Sequence, residues 1–333
     1  MIAYTQFLHI LQKLSNRYLT IHFRPVSATN IGVLSDPIKP LPLCAIILQG
    51  PIKKEDDFTL ETTKLYKKTM PGALIIISTW PSKDQAYIKK FSKIGVHVIE
   101  NDYPPSPYDK FTINLQITST LAGILFAKGK KAKYILKTRT DQRLYGTSII
   151  EFCHNALQLF PVAKGFKQKQ RIIAPSFYTF KYRMYSVTDM VLFGKIEDMM
   201  KYFSPPFDDR PIINKIGSFK IASVRELCKL RLGEIYLSTE FLKKVGRKLR
   251  WTLKDSWSAY ADHFCIVDQG VFDIYWAKYD CFNEFRHVNY SDITNKQELT
   301  FKEWLNLYTG IQRKRKIPEK TLDEAIDARA VIS

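Results

Sequence analysis

Four short apolar runs alternate with longer helical segments between residues 44 and 139, and this alternation restricts the fold more than anything else in the sequence. The runs are strand-sized and aliphatic, and they cover residues 44–49, 74–78 and 96–99 and a stretch that begins at Tyr134. The segments between them have the length and pattern of helices, and they cover residues 57–68, 83–92 and 114–127. Asp56 or Asp57 is placed to cap the first helix. The alternation predicts βαβ units and an α/β fold with a mostly parallel sheet flanked by helices.

Each predicted strand ends in polar or conformationally special residues: Gln49-Gly50, Ser78-Thr79-Trp80, Asn101-Asp102 and Arg139-Thr140-Asp141. Right-handed crossovers should bring all four ends to one edge of the sheet, where open α/β sheets bind their ligands. The arrangement is typical of a nucleotide site. The chain has neither a Gly-x-Gly-x-x-Gly nor a Gly-x-x-x-x-Gly-Lys-Ser/Thr motif, which argues against dinucleotide binding and P-loop chemistry.

The fourth strand leads into a cluster of charge. Asp141 is a single carboxylate among Lys137, Arg139 and Arg143. A lone acid among three cations suits a site that handles a metal-bound or phosphorylated substrate. An ion-paired surface loop is the alternative that these residues leave open.

The overall charge points to an anionic partner. The chain carries 51 Lys and Arg against 32 Asp and Glu, a formal net charge of +19, which suits nucleic acid, an acidic membrane surface or a phosphorylated substrate. Its five cysteines are scattered without a Cys-x-x-Cys pair, which argues against a disulfide framework and a structural zinc site and favours a reducing compartment. The sequence shows neither a signal peptide nor a membrane-spanning apolar run, so we expect a cytoplasmic protein.

The regions on either side of the alternation are less regular. Residues 1–42 are predicted to be an appendage with a linker, and an apolar helical pattern from Phe7 to Leu14 would either pack on its own domain or lie on a membrane surface. The second half is predicted to hold a helix at 149–160, a strand at 190–193 and a basic helix at 241–250. Residues 312–333 are predicted to be a charged helix or tail.

Several short motifs occur in an order that resembles the WavE family of lipopolysaccharide-synthesis proteins. They are Ile-Leu-Gln-Gly-Pro at 47–51, Leu-Ile-Ile-Ile-Ser-Thr-Trp at 74–80, Asn-Leu-Gln-Ile-Thr-Ser-Thr at 114–120 and Leu-Lys-Thr-Arg-Thr-Asp at 136–141. The resemblance implies a GT-A-like, Rossmann-like glycosyltransferase domain over residues 43–311, with a nucleotide-binding half at 43–145 and an acceptor half at 146–311. The chain departs from the family at Leu115, where an arginine is typical. It also departs from the Asp-x-Asp motif of GT-A enzymes, which is reduced here to Asp141.

The resemblance implies a set of residues for a nucleotide-sugar donor. Gln49 and Gly50 would let the backbone approach the nucleotide, Thr79 and Trp80 would flank the base, and Asp102 would bind the base or ribose. Asn114 or Gln116 would reach the ligand from its helix, Lys137 and Arg139 would neutralise the phosphates, and Asp141 would contact a metal or the ribose. Mg²⁺ or Mn²⁺ is an optional cofactor, because Mg²⁺ often takes only one or two protein carboxylates. The structural alternatives are a turn at Gly50, a core position for Trp80, a cap at Asp102 and solvated charge at Arg139.

An inverting transfer also needs a carboxylate that takes the proton from the acceptor hydroxyl. Glu240 is one candidate, in the first turn of a helix predicted to begin at an N-cap formed by Thr239, and Asp189 is the other. Each could instead cap a helix or occupy a first turn, and Asp268 is a weaker choice. His263 is a candidate metal ligand, although packing in its aromatic surroundings is the favoured interpretation.

The resulting hypothesis is a cytoplasmic enzyme that moves a sugar from a nucleotide donor onto a bacterial surface glycan, such as a lipopolysaccharide core, an O-chain or a capsule. Its acceptor would be an anionic or lipid-linked glycan, and the basic aromatic segment 158–185 would suit that acceptor or a peripheral contact with the inner membrane. No nucleic-acid partner is expected. Two rivals remain open: a nucleic-acid-binding protein, which the charge favours, and an inactive scaffold of the same fold, which the reduced Asp-x-Asp favours.

Overall fold

The computed structural model describes residues 2–15, 23–30, 42–105, 113–210, 224–231, 233–278 and 297–310. The chain divides into two compact units between Gly32 and Val33. The first unit contains helix α1 (Ile2–Ser15), which confirms the predicted helix. The predicted boundary at residue 42 stays a prediction, and the predicted tail at 312–333 lies outside the described residues.

The second unit is built on one large sheet with a small ribbon beside it. Seven strands form the sheet in the order β3-β2-β1-β4-β7-β6-β8. They are β1 (Cys44–Gln49), β2 (Leu74–Thr79), β3 (His97–Glu100), β4 (Tyr134–Arg139), β6 (Ile172–Pro175), β7 (Leu192–Lys195) and β8 (Phe264–Val267). The ribbon pairs β5 (Gln142–Leu144) antiparallel with β9 (Ile274–Trp276).

The described helices connect and cover these strands. They are α2 (Phe58–Thr69), α3 (Gln85–Lys93), α4 (Ile113–Gly129), α5 (Ile149–Leu159), α6 (Ile196–Tyr202), α7 (Val224–Lys229), α8 (Glu234–Lys244), α9 (Leu253–His263) and α10 (Phe301–Tyr308). No helix within the described ranges is long and apolar enough to cross a membrane.

Only β7 runs against the other strands of the sheet. β1 pairs in parallel with β2 and β4, and β2 pairs in parallel with β3. β7 is antiparallel to both β4 and β6, whereas β6 and β8 are parallel. The fold is therefore α/β with a mostly parallel, GT-A-like and Rossmann-type sheet, as the alternation and the resemblance predict.

The strand order reverses between β1 and β4, and this reversal positions the site. From β1 the chain moves outward through α2, β2 and α3 to β3, and α4 then carries it back across the sheet to β4. Since crossovers between parallel strands are almost always right-handed, we expect α2 and α3 on one face of the sheet and α4 on the other. A crevice forms outside the carboxyl ends of strands at such a reversal, and it is the usual ligand site of open α/β sheets.

Helix α4 packs unusually close to the sheet beside this reversal. A Cβ atom added to Gly123 would lie 2.7 Å from Cγ2 of Ile47, in the middle of β1. The side chains that α4 turns toward the sheet are buried, including Ile117 and Ile124. This close packing fixes the amino end of α4 at the carboxyl end of β1.

The predicted capping of α2 is wrong. Asp57 occupies the N-cap position with a left-handed backbone and its side chain makes no capping hydrogen bond. Its carboxylate instead accepts a hydrogen bond of 2.8 Å from the Tyr87 hydroxyl. Asp56 also has a positive φ. The turn before α2 is therefore not held by a helix cap; it contacts α3 through the hydrogen bond from Tyr87 to Asp57.

Candidate active site

The ends of the first four strands converge on one edge of the sheet, which we call the carboxyl edge. At the end of β1, Gln49 is in register with Arg139 of β4 and with Ser78 of β2. Thr79 of β2 is in register with Glu100, the last residue of β3. The predicted convergence of the strand ends is confirmed.

The turn after β1 requires a glycine. Gly50 has a φ of +116°, and its N–H donates to the Ser78 carbonyl over 3.1 Å. A Cβ atom at this position would lie 3.2 Å from the Thr140 hydroxyl oxygen. Thr140 in turn donates its N–H to the Gln49 carbonyl over 3.1 Å. The loops after β1 and β4 are therefore joined at the point where the strand order reverses.

Arg139 and Asp141 form a bidentate ion pair beside this turn. Nε and Nη2 of Arg139 donate to the two carboxylate oxygens of Asp141 over 2.8 and 2.9 Å. The side chains of Arg139 and Asp141 are 23% and 18% exposed, so the acid does not point into bulk solvent. Burial acts to raise the pKa of Asp141, but the hydrogen bonds and charge of Arg139 outweigh it and hold that pKa below its ordinary value. Asp141 is therefore ionised at neutral pH.

The described residues do not form a preassembled metal site around Asp141. Within the part of the chain that the structure describes, no group of three His, Cys, Asp or Glu residues could hold a metal ion. Both oxygens of Asp141 already accept from Arg139. A metal at Asp141 would have to displace one of these hydrogen bonds, and the role of Asp141 as a metal ligand stays a prediction.

Lys137 lies behind the carboxyl edge and not at it. Its side chain is fully buried, its ammonium donates to the backbone carbonyl of Asp189, and its Nζ lies 5.7 Å from the ring centroid of Phe203. Burial lowers its pKa to about 7, with the charge of Asp189 opposing and that of Arg139 adding to the shift. Lys137 precedes the strand end by two residues, so its side chain leaves the chain within the packed body of the sheet. Its predicted contact with phosphates is not favoured by this position.

Arg143 is also withdrawn from the edge. Its guanidinium donates to the Thr62 hydroxyl over 2.9 Å and to the Phe58 carbonyl over 3.0 Å. It lies 4.5 Å from the ring centroid of Phe58. Arg143 therefore anchors the first turns of α2, and Arg139 is the cation of the predicted cluster that stays at the edge.

An aromatic pair stands at the ends of β2 and β3. The rings of Trp80 and Tyr103 are stacked with centroids 4.8 Å apart and planes 14° apart. Trp80 is buried, which agrees with its predicted core alternative, while Tyr103 is 57% exposed and was not singled out by the sequence analysis. Thr79 is buried and Asp102 is exposed. Tyr103 therefore has an exposed ring, supported by its stacking on Trp80, beside the predicted base-binding residues.

Two glutamine amides are buried at this edge with one end unsatisfied. Gln49 and Gln116 are each 6% exposed, and among the described residues nothing hydrogen-bonds to the Oε1 atom of either. Gln116 lies one turn closer to the carboxyl edge than Ser119, whose carbonyl accepts from the Ser78 hydroxyl over 2.6 Å. Buried polar atoms are nearly always paired in folded proteins, so these oxygens are suited to accept from a ligand.

Asn114 has a structural partner. Its Nδ2 donates to the Asp208 carbonyl over 2.9 Å, and its Oδ1 accepts from the Asp208 N–H over 2.7 Å. Both ends of the amide are thus used within the protein. Of the two predicted polar residues at the start of α4, Gln116 is the one left available to a ligand.

Glu240 does not begin a helix, and that prediction is wrong. Helix α8 starts at Glu234, so Glu240 lies in its interior and pairs with Arg231 and with Lys243, the latter over 2.9 Å. Thr239 is buried and donates its hydroxyl to the Ile235 carbonyl one turn back, so it is not an N-cap. Burial acts to raise the pKa of Glu240, but its hydrogen bonds to Lys243 and Arg231 hold it below the ordinary value.

Glu234 is a carboxylate that the sequence analysis missed. It opens α8 directly after Gly233 and accepts a hydrogen bond of 2.8 Å from the Ser186 hydroxyl. Burial and the charge of Asp189 raise its pKa to about 6. β7 runs antiparallel to β4, and Leu192 of β7 is in register with Lys137 of β4. The chain therefore enters β7 from the carboxyl edge, and Asp189, three residues before Leu192, lies at that edge. The signal that could have located Glu234 is a glycine immediately before the apolar pattern of α8, a recognised position for an N-cap.

The two weaker candidates, His263 and Asp268, lie at opposite edges of the sheet. His263 ends α9 just before Phe264, which is in register with Ile172 at the opposite edge of the sheet. Its Nδ1 lies 2.7 Å from Oε1 of Gln168, and burial lowers its pKa to about 3. The packing interpretation of His263 is therefore the one that the structure shows. Asp268 follows β8 at the carboxyl edge, but it accepts the Phe301 N–H over 3.1 Å.

Most of the chain matches a known protein family. A family model described as WavE lipopolysaccharide synthesis matches residues 44–324. No curated protein matches the chain.

Proposed function

The chain belongs to the WavE lipopolysaccharide synthesis family, and on that premise we propose that it is a glycosyltransferase that uses a nucleotide-sugar donor. One observation carries the proposal. Arg139, which is hydrogen-bonded to the carboxylate of Asp141, lies at the end of β4. It is in register with the end of β1, at the point where the strand order reverses. Ligands of open α/β sheets bind at this point. The donor's diphosphate would therefore lie over Gly50 and against Arg139.

Arg139 is proposed to stabilise the leaving diphosphate. Transfer of the sugar places additional negative charge on that group, and a fixed guanidinium is suited to bind it. Asp141 orients the guanidinium through two hydrogen bonds. The ring centroid of Trp276 lies 5.4 Å from Cζ of Arg139. The guanidinium is therefore held in place before the donor binds, which lowers the reorganisation needed in the reaction.

Mg²⁺ or Mn²⁺, if bound, would neutralise phosphate charge next to Arg139. The described residues do not fit a preformed metal site, because both oxygens of Asp141 accept from Arg139. We therefore assign the charge stabilisation to Arg139 and derive no step through a metal.

The nucleoside is proposed to lie toward β2 and β3. Tyr103 offers an exposed ring stacked on Trp80, and Gln49 and Gln116 offer unsatisfied amide oxygens. A nucleobase has a flat face that can stack on the Tyr103 ring and N–H groups that can donate hydrogen bonds to the glutamine oxygens. These two features together support a nucleotide as the ligand.

The acceptor is proposed to be an anionic or lipid-linked glycan of the bacterial surface, such as a lipopolysaccharide core, an O-chain or a capsule. The net charge of +19 would attract such an acceptor, or the anionic surface of the inner membrane from the cytoplasmic side.

A thermal-shift panel with UDP-, GDP- and CMP-sugars, each with and without Mn²⁺, tests the proposal. A ligand that binds the folded state at 100 times its Kd stabilises it by about 2.7 kcal/mol, so one base class should raise the Tm by several degrees. Arg139→Ala should weaken that binding by about 10- to 100-fold, since hydrogen bonds to charged groups contribute about 1.5–3 kcal/mol. Lys130→Ala is the matched control, because it removes an exposed cation between α4 and β4, at the opposite edge.

Absence of any shift across the donor panel would contradict the proposal and favour the inactive scaffold. Tight oligonucleotide binding that is lost steeply with rising salt would instead favour the nucleic-acid-binding rival.

A further inference from the structure

We propose that Glu234 is the general base that takes the proton from the acceptor hydroxyl in an inverting transfer. The inference rests on the proposed glycosyltransferase function. It assigns to Glu234 the role that the sequence analysis gave to Glu240 or Asp189.

One hydrogen bond holds the side chain of Glu234 against the segment that leads into β7. Its carboxylate accepts from the Ser186 hydroxyl over 2.8 Å. The neighbouring Tyr185 is held in turn, because its carbonyl accepts from the Ser238 hydroxyl and its N–H donates to Ser256 Oγ over 2.8 Å. The carboxylate is therefore hydrogen-bonded to a segment that is itself anchored to α8 and α9.

Glu234 connects to the proposed donor site through Asp189. The charge of Asp189 acts on Glu234 and on Lys137, and the Asp189 carbonyl accepts from the Lys137 ammonium. Lys137 lies two residues before Arg139 on β4. Ser186, which binds Glu234, precedes Asp189 by three residues in the segment that enters β7 from the carboxyl edge. We therefore place Glu234 near that edge, on the β7 side of β4.

The surroundings of Glu234 suit a base that works near neutral pH. Within the described ranges no lysine or arginine forms an ion pair with it, in contrast to Glu240, which pairs with two cations. The charged and titratable groups that act on Glu234 or feel its charge are Asp189, Arg183, Tyr202 and Cys228. Burial and the like charge of Asp189 raise its pKa to about 6, close to the value at which a carboxylate is both ionised and basic enough.

The step balances without any further reactant. The acceptor oxygen forms a bond to the anomeric carbon of the donor sugar while the bond from that carbon to the diphosphate oxygen breaks. The bonding electrons leave with the nucleoside diphosphate, whose charge Arg139 stabilises, and the acceptor proton moves to a carboxylate oxygen of Glu234.

The test compares the wild type with Glu234→Gln and Glu197→Gln. Release of nucleoside diphosphate is measured with the donor that stabilises the protein and with purified rough lipopolysaccharide as acceptor. Glutamine keeps the shape and can still accept from Ser186, but it cannot take a proton. Glu197 is the matched control, because it is an exposed glutamate in the first turn of α6, at the opposite edge of the sheet.

Glu234→Gln should lower kcat by about 100-fold or more, with donor affinity changed by less than about twofold. The wild-type kcat should rise through pH about 6, and this rise should be absent in the variant. Ser186→Ala removes a hydrogen bond that lowers the pKa of Glu234, so it should move the rise to higher pH. A purely structural role for Glu234 would not produce these pH effects.

A Glu234→Gln variant that keeps more than about a tenth of the wild-type kcat, or that keeps the rise with pH, would overturn the assignment. Side-chain carbon NMR gives a second reading that needs no acceptor. The resonance that is missing in Glu234→Gln should titrate near pH 6, and titration near 4.5 would refute the assignment. If the wild type binds no donor, the proposed function itself fails, whereas normal turnover by the variant removes only the role of Glu234.

Discussion

Replacing Lys137 with methionine should stabilise the protein and change how its stability depends on pH. The fully buried ammonium of Lys137 has its pKa lowered from 10.5 to about 7, chiefly by burial. At about 1.4 kcal/mol per pKa unit, the folded state then carries a penalty of about 5 kcal/mol at and below neutral pH. Methionine has a similar shape and removes the penalty, but it leaves the Asp189 carbonyl without its donor, at a cost of about 1–3 kcal/mol. The net gain should be about 2–4 kcal/mol at pH 6–7.

The sign of the pH effect follows from which state binds the proton. Between pH 7 and 10.5 the unfolded chain keeps the lysine proton while the folded protein loses it, so the free energy of unfolding of the wild type should rise with pH in this window. The rise should approach about 1.4 kcal/mol per pH unit. Lys137→Met should lack this contribution, while Lys130→Met, at an exposed position, should keep it.

Urea denaturation at pH 6, 7, 8 and 9 measures the effect, because contributions from all other groups cancel between the variant and the wild type. If the wild-type and Lys137→Met stability curves run parallel over this range, the ammonium is not buried as described, and the reasoning is refuted.

Two further predictions concern packing and the nucleoside. Gly123→Ala should destabilise the protein by about 1–3 kcal/mol in urea denaturation, because the added Cβ would lie 2.7 Å from Ile47 Cγ2. The clash should outweigh the higher helix propensity of alanine. A urea midpoint equal to or above that of the wild type would contradict the close packing of α4. Tyr103→Ala should weaken donor binding by about 1–3 kcal/mol, since that is the usual contribution of stacking a base on an aromatic ring; calorimetric titration with the donor measures it, and an unchanged Kd would place the base elsewhere.

The regular half of the fold was predictable from local patterns, and the second half much less so. The four strands and three helices between residues 44 and 139 appear within about three residues of their predicted bounds, because each strand is a buried aliphatic run flanked by turn signals. Strands β6 and β8, at 172–175 and 264–267, were not predicted, although β3 and β7, which have the same length, were. Their place in the sheet depends on long-range pairing that a sequence pattern does not reveal.

The candidate site shows the same division between local and tertiary information. The convergence of the strand ends followed from topology, so Arg139 and Asp141 were found. The burial of Lys137 depends on a neighbour distant in sequence, Asp189, whereas the partners of Glu240, Arg231 and Lys243, are close to it along the chain. At Glu240 a local signal was misread, because the Thr239 hydroxyl bonds back into the helix and does not cap it.

A crystal structure of the complex with the donor that stabilises the protein tests the central claim most directly. The account predicts that the diphosphate lies over Gly50, with an oxygen at hydrogen-bond distance, about 3 Å, from the Arg139 guanidinium. A donor bound at the opposite edge of the sheet, or a diphosphate remote from Arg139, would contradict it.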